Sequence, residues 1–185
     1  VDLSLAAAQT INANLTLTIV GEGFDEILGG SMNDTIRGNS TDNVLRGGPG
    51  ADLLDGKGGN DKLDGGTGND DLNGGDGTDT ISVSGDTNFK LTISSLTRGT
   101  GEVDTLNNIE AANLSGGAGN NVFTLTGWTG NGSVNGAGGT DTLVWASDAN
   151  FTLTDVSLVV TPVIGPASNF TLSSIENASL TGGEN

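Results

Sequence analysis

Nine residues recur six times without a gap between Gly29 and Ser82, reading GGSMNDTIR, GNSTDNVLR, GGPGADLLD, GKGGNDKLD, GGTGNDDLN and GGDGTDTIS. A looser copy, VGEGFDEIL, precedes them at Val20 to Leu28. The sixth position carries Asp25, Asp34, Asn43, Asp52, Asp61, Asp70 and Asp79, and the eighth carries Ile27, Ile36, Leu45, Leu54, Leu63, Leu72 and Ile81. A fixed period this short cannot build a layered globule. It predicts a solenoid in which each repeat buries its apolar row against its neighbours.

The repeat follows from backbone chemistry. Glycines at positions one, two and four supply freedom where the chain turns with positive φ, and the adjacent Asn or Asp favours the same turns. Three residues remain for a short strand whose side chains alternate faces, so Ile or Leu at position eight alone makes a one-sided strand. Two nonapeptides complete one turn of a flattened coil, which places repeats eighteen residues apart on top of one another.

That stacking brings like charges together. Asp34 lies above Asp52, Asp52 above Asp70 and Asp61 above Asp79, at about one strand spacing of ~4.8 Å. Two unit charges ~5 Å apart repel by ~3 kcal/mol at an effective dielectric of about 20. With only six Lys and Arg in the chain, no internal cation serves every pair. A hard divalent ion resolves the conflict, because calcium accepts six to eight oxygens from carboxylates and turn carbonyls. Such a site is shared between turns, and no single repeat makes one.

These residues resemble the RTX nonapeptides of secreted bacterial proteases, lipases, haemolysins, adhesins and surface-layer proteins. The resemblance implies an all-β, right-handed parallel β-roll or β-helix solenoid, with several calcium ions held by sixth-position Asp residues and glycine-turn carbonyls. Carried over by position, the first pair of repeats uses Asp34 and Asp52 with carbonyls of Gly30, Met32, Gly47 and Pro49. The next uses Asp52 and Asp70 with carbonyls of Gly48, Gly50, Gly65 and Thr67. A third uses Asp61 and Asp79 with carbonyls of Lys57, Gly59, Gly74 and Asp76. The pair at residues 38 and 56 departs from the pattern, since Asn43 replaces Asp and Thr41 replaces Gly, and a weaker site is expected there.

Composition agrees with this reading. The chain has 185 residues, a net charge of −17 and a pI near 4.1, so nucleic acid and anionic membranes are poor partners. There is no Cys, so an extracellular domain of this kind needs another staple, and bound metal is one. No run approaches the ~18 apolar residues that span a bilayer. The sequence opens inside a strand pattern and closes on LTGGEN, the start of a glycine turn, as expected of an excerpt from a longer protein.

Residues 1–19 alternate apolar and polar (Leu3, Leu5, then Leu15, Leu17, Ile19) and are expected to supply leading strands that cap the coil, with a short helical turn at Ala6 to Gln9. Residues 20–82 form the nonapeptide roll. In residues 83–185 a longer repeat takes over. GTDTISVSGDTNFKLT (77–92) matches GTDTLVWASDANFTLT (139–154), and LNNIEAANLSGG (106–117) matches LSSIENASLTGG (172–183). Two copies of about 62–66 residues are read as wider coils of the same kind, with the segment from Thr161-Pro162 to Gly165-Pro166 as a surface loop. Remnants of the nonapeptide persist at GGAGNNVFT (116–124) and GAGGTDTLV (136–144). Neither has a partner eighteen residues away, so Asn121 and Asp141 are read as turn formers.

Without His or Cys there is no imidazole base, thiol nucleophile or zinc site. Paired carboxylates serve acid–base chemistry only in unequal environments, whereas these repeat identically. Trp128 and Trp145 are assigned to core packing or a loop anchor rather than sugar stacking. Arg37 and Arg46 fall at position nine of consecutive repeats and hence on opposite faces. The chain is therefore expected to be non-enzymatic, a calcium-binding structural or adhesive module of a secreted or cell-surface bacterial protein, with self-association or a surface ligand as further partners. The alternative is an accessory repeat of a secreted lipase, protease or polysaccharide-modifying enzyme whose catalytic domain lies outside this chain.

Overall fold

The structure is a computed structural model that describes residues 26–182 and the backbone of Thr16–Thr18. The readings made for Leu3, Leu5, Ala6 to Gln9, Leu15, Ile19 and Asp25 fall outside the described residues. Among the described residues every regular element is a strand, and no helix is long and apolar enough to cross a membrane. The chain divides into two compact units. One is the described part of Val1–Ser82 with Glu102–Ile109, and the other is Val83–Gly101 with the described part of Glu110–Asn185.

The first unit begins with β1 (Thr16–Thr18), β2 (Glu26–Leu28), β3 (Thr35–Arg37) and β4 (Val44–Pro49). It continues with β5 (Leu53–Gly58), β6 (Lys62–Thr67), β7 (Asp71–Asp76) and β8 (Thr80–Ser84). Strands alternate between two parallel sheets, in the orders β2-β4-β6-β8 and β1-β3-β5-β7. The register is that of the repeat. Ile27 pairs with Leu45, Leu45 with Leu63 and Leu63 with Ile81 on one sheet, while Ile36 pairs with Leu54 and Leu54 with Leu72 on the other. Two nonapeptides per turn are thus realised as a parallel β-roll.

Position eight is the core. Ile36, Leu45, Leu54, Leu63, Leu72 and Ile81 are all 0% exposed, each worth about 1.5–3 kcal/mol in burial. The strands are longer than the three residues expected from the sequence. β4 to β7 each run to six and take in the first three residues of the next repeat. The reason is the position-one glycine: Gly47, Gly56, Gly65 and Gly74 are buried, and without a Cβ the chain stays extended past a neighbouring carboxylate. Arg37 and Arg46 sit in different sheets, on Asp55 at 3.8 Å and Glu26 at 3.4 Å. Such surface pairs contribute ~0–1 kcal/mol.

The second unit contains β9 (Phe89–Thr92), β10 (Ser95–Arg98), β12 (Ala111–Ser115), β13 (Val122–Thr126) and β14 (Asn131–Asn135), with β11 (Glu102–Asn107) belonging to the first unit. It ends with β15 (Thr142–Ala146), β16 (Ala149–Leu153), β17 (Ser157–Pro162), β18 (Ser168–Ser173) and β19 (Asn177–Thr181). Its coil runs parallel through β9-β13-β15-β19 and β12-β14-β18. Phe89 stacks on Phe123 at 5.4 Å, and Trp145 meets Phe170 edge-on at 5.2 Å. Trp128 and Trp145 are buried core residues.

Two antiparallel hairpins explain the long repeat seen in the sequence. β9 pairs with β10 and β16 with β17. Each is pinned at the same point, Thr92 Oγ1 to Ser95 Oγ at 2.8 Å and Thr154 Oγ1 to Ser157 Oγ at 2.7 Å. The repeated element is therefore a coil carrying an inserted hairpin. The surface loop is shorter than the sequence suggests, because Thr161 and Pro162 pair with Asn150 and Ala149 at the end of β17, and the exposed loop begins at Val163 and Ile164.

Leu63→Ala is expected to lower the unfolding free energy by about 2–5 kcal/mol, against no more than about 0.5 kcal/mol for Val163→Ala. Urea unfolding at saturating calcium measures both.

Candidate metal centre

The glycine turns bring the sixth-position side chains into two columns. In one, the Asp34 N–H donates to Asp52 Oδ1 at 2.7 Å and the Asp52 N–H to Asp70 Oδ1 at 2.9 Å. In the other, Asn43 N–H donates to Asp61 Oδ1 at 2.7 Å and Asp61 N–H to Asp79 Oδ1 at 2.7 Å. All six residues are at most 3% exposed. One carboxylate oxygen of each lower Asp is thus committed to the backbone of the turn above it.

The second oxygen decides the chemistry. Oδ2 of Asp52 and Oδ2 of Asp61 are fully buried and accept no hydrogen bond. Burying a charged oxygen without a partner is strongly unfavourable. Each lies against the position-one glycine of its own repeat, beside a carbonyl of the next turn. A Cβ on Gly47 would strike both Asp52 Oδ2 and the Gly65 carbonyl oxygen, and one on Gly56 would strike Asp61 Oδ2 and the Gly74 carbonyl oxygen. Other turn carbonyls also lie against glycines of the neighbouring turn. Gly30 O and Met32 O crowd Gly48 and Gly50, Gly48 O and Gly50 O crowd Gly66 and Gly68, and Lys57 O and Gly59 O crowd Gly75 and Gly77. These glycines all have positive φ.

Among the described residues no three His, Cys, Asp or Glu side chains gather around one point. An ion held here draws most of its ligands from the main chain, which suits a hard cation that accepts carbonyl oxygen. The buried oxygens and the carbonyls beside them fit calcium. The carbonyl oxygens of Gly30, Met32, Gly47, Gly48, Gly50, Gly65, Lys57, Gly59 and Gly74 each face the missing side chain of a glycine in the neighbouring turn. Thr67 differs, since its carbonyl accepts the Gly50 N–H at 2.9 Å. The Asp76 carbonyl stays 3.7 Å from the space a Gly58 side chain would fill, and Pro49 lies in the ladder opposite Thr67. At the Asn43 turn the amide oxygen accepts the Asn39 N–H at 3.0 Å, so this layer has one charge fewer and a committed acceptor.

One acidic residue escaped the sequence reading. The Asp70 N–H donates to Asp104 Oδ1 at 3.1 Å, and Leu72 pairs with Leu106 in β11. Asp104 is the next member of its column, thirty-four residues on because the β9–β10 hairpin is inserted between. Its signal was Asp104-Thr105-Leu106, the same triplet pattern as Asp79-Thr80-Ile81. A second missed feature is an outer ladder at position five. Asn33 Oδ1 accepts the Ala51 N–H, Asp42 Oδ1 the Asn60 N–H, Asn60 Oδ1 the Thr78 N–H and Asn69 Oδ1 the Val103 N–H.

Residues 19–54, 28–63, 46–81 and 55–89 match the family model of the RTX calcium-binding nonapeptide repeat. Residues 19–89 are RTX repeats. The match covers less than half of the chain. No curated protein matches the sequence. Among solved structures, the extracellular lipase LipA from Serratia marcescens is similar at 17% identity and a TM-score of 0.22, over 85% of this chain and 38% of the lipase chain. The chain thus spans well under half the length of that lipase.

Electrostatics within the RTX roll follow from burial. Asp61 is pushed from its ordinary 3.8 up to about 6, first by burial and then by Asp79 and Asp42, against the opposing Asn43 N–H. Asp52 is raised too, by burial and by Asp70 and Asp34, with the Asp34 N–H opposing. Without metal, the folded state therefore holds protons that the unfolded state has released. Its stability falls as pH rises from about 4 through 6. Metal-free protein is expected to melt higher at pH 5 than at pH 7.5, and calcium is expected to reverse that order, read by circular dichroism.

Gly66 has a φ of 93° and the Gly48 carbonyl against its missing side chain, whereas Gly101 has nothing within 4 Å. Gly66→Ala is expected to cost well over ~1–2 kcal/mol, and Gly101→Ala about 0.5 kcal/mol or less, in calcium-saturated urea unfolding.

Proposed function

We propose that this chain is a calcium-dependent structural or adhesive module of a secreted or cell-surface bacterial protein, without catalytic activity of its own. The observation that carries this is the pair of buried, unpartnered oxygens, Asp52 Oδ2 and Asp61 Oδ2, each placed beside a carbonyl of the next turn. Folding of the roll in low calcium exposes the chain to stacked like charges. Calcium converts that repulsion into ligation, and because the ligand set exists only in the folded coil, binding free energy becomes folding free energy. Extracellular calcium modules bind at about 10⁻⁴–10⁻³ M, a range that leaves such a roll soft inside a cell and rigid outside it.

The remaining surface supports a scaffold. The net charge of −17 resists nucleic acid and anionic lipid, and the acidic residues of the columns share one repeating environment rather than the unequal pair that acid–base catalysis needs.

Circular dichroism during a calcium titration tests the reading, with magnesium as control. Strand signal is expected to grow with calcium and not with equal magnesium; an equal response to magnesium would remove the basis for the sites. Asp52→Ala is expected to weaken the calcium response more than Asp34→Ala, because Asp52 lies between Asp34 and Asp70 and serves two layers.

A further inference from the structure

The second unit repeats the roll's ligand geometry where no nonapeptide match extends. The turn from Gly136 to Asp141 copies the turn from Gly56 to Asp61. Lys57 and Ala137, each second in its turn, adopt left-handed φ values of 80° and 67° although neither is glycine. Gly59 and Gly139, each fourth, share a φ of 103°. Asp61 N–H donates to Asp79 Oδ1 at 2.7 Å, and Asp141 N–H donates to Glu176 Oε2 at 2.7 Å. One turn earlier the match holds again: Asn43 N–H reaches Asp61 Oδ1 and Asn121 N–H reaches Asp141 Oδ1, both at 2.7 Å. Gly58 N–H donates to Asn39 O at 3.0 Å and Gly138 N–H to Gly117 O at 2.9 Å.

Asp141 is 0% exposed, and its Oδ2 is fully buried with no hydrogen-bond partner. That oxygen and the Ser174 carbonyl oxygen both face the position a Gly136 side chain would occupy, as Asp61 Oδ2 and the Gly74 carbonyl do at Gly56. The eighteen-residue rule misses this site for a simple reason. The coil here lengthens to twenty residues between Asn121 and Asp141, and to thirty-five between Asp141 and Glu176, where the β16–β17 hairpin is inserted. Past Ser174 the turn is also shorter, and the longer Glu176 side chain reaches the N–H that an Asp reaches elsewhere.

We propose that the second unit holds a calcium site of its own, formed by Asp141 Oδ2, the Ser174 carbonyl and Glu176, with the carbonyls of Ala137 and Gly139 in the roles of Lys57 and Gly59. The proposal rests on the calcium reading of the roll for its ion and not for its residues. A carboxylate, a glutamate and main-chain oxygens form a hard donor set, which selects calcium over softer metals.

Both tryptophans of the chain lie in the second unit and there is no tyrosine, so tryptophan fluorescence of the full chain reports that unit. The wild-type melt read by tryptophan is expected to rise with calcium chloride but not with magnesium chloride. In Asp141→Asn the Oδ1 acceptor is kept and the unpartnered charge is removed, so the calcium-free melt should hold or rise, while apparent calcium affinity in this melt falls by about tenfold or more. Native mass spectrometry should then count one ion fewer than in wild type. Glu176→Gln, at an exposed residue, should weaken the same response and serves if Asp141→Asn does not fold. An undiminished ion count and calcium response in Asp141→Asn, or in Glu176→Gln if that variant alone folds, overturns this site while leaving the roll's sites standing. A wild-type chain that binds no calcium at all overturns both.

Discussion

The stacking of buried carboxylates is the constraint on which the rest depends. A parallel coil places equivalent side chains one strand spacing apart, so any acidic position becomes a column of charge. The molecule handles half of each carboxylate itself, by giving Oδ1 the N–H of the turn above. At Asp52 and Asp61 it leaves the other half facing carbonyls. Two sets of electron-rich oxygens pointed at one another repel, and relieving that repulsion is the task the proposed function gives to calcium.

The glycines belong to this electrostatic design as much as to the turns. Positions two and four use positive φ to turn their carbonyls into the inter-turn space, and position one makes room for the carboxylate oxygen itself. Lys57 and Ala137 show how firmly the turn demands its conformation, since both adopt left-handed φ with a side chain attached. Apolar packing then has a narrow task. One Leu or Ile per repeat fills the roll's interior, and the side chains on either side of it stay at the surface.

The candidate centre was legible wherever the period was strict. Asp52 and Asp70, and likewise Asp61 and Asp79, stack as the nine-residue count requires. Asp104 was hidden because the β9–β10 hairpin separates it from Asp70 by thirty-four residues. Asp141 was set aside as a turn former because its neighbours lie twenty and thirty-five residues away. The position-five ladder of Asn33, Asp42, Asn60 and Asn69 was also missed. An Asn in a glycine turn satisfies turn propensity alone, and nothing in the sequence tells that role from a bond to the next layer.

By itself, the sequence determined everything that a local period controls: strands two to a turn, a one-sided core at position eight, acidic residues at position six, and the metal chemistry those imply. Periodicity suffices there because each repeat sees only its neighbours, so counting along the chain is the same as measuring through space. Only the tertiary structure decided where that equivalence breaks. Inserted hairpins add chain between one turn and the next, so Asp104 and Glu176 join columns that no fixed spacing reveals. Contact with the next layer, and not distance along the chain, determines which carboxylate oxygen is bonded and which is left facing the gap.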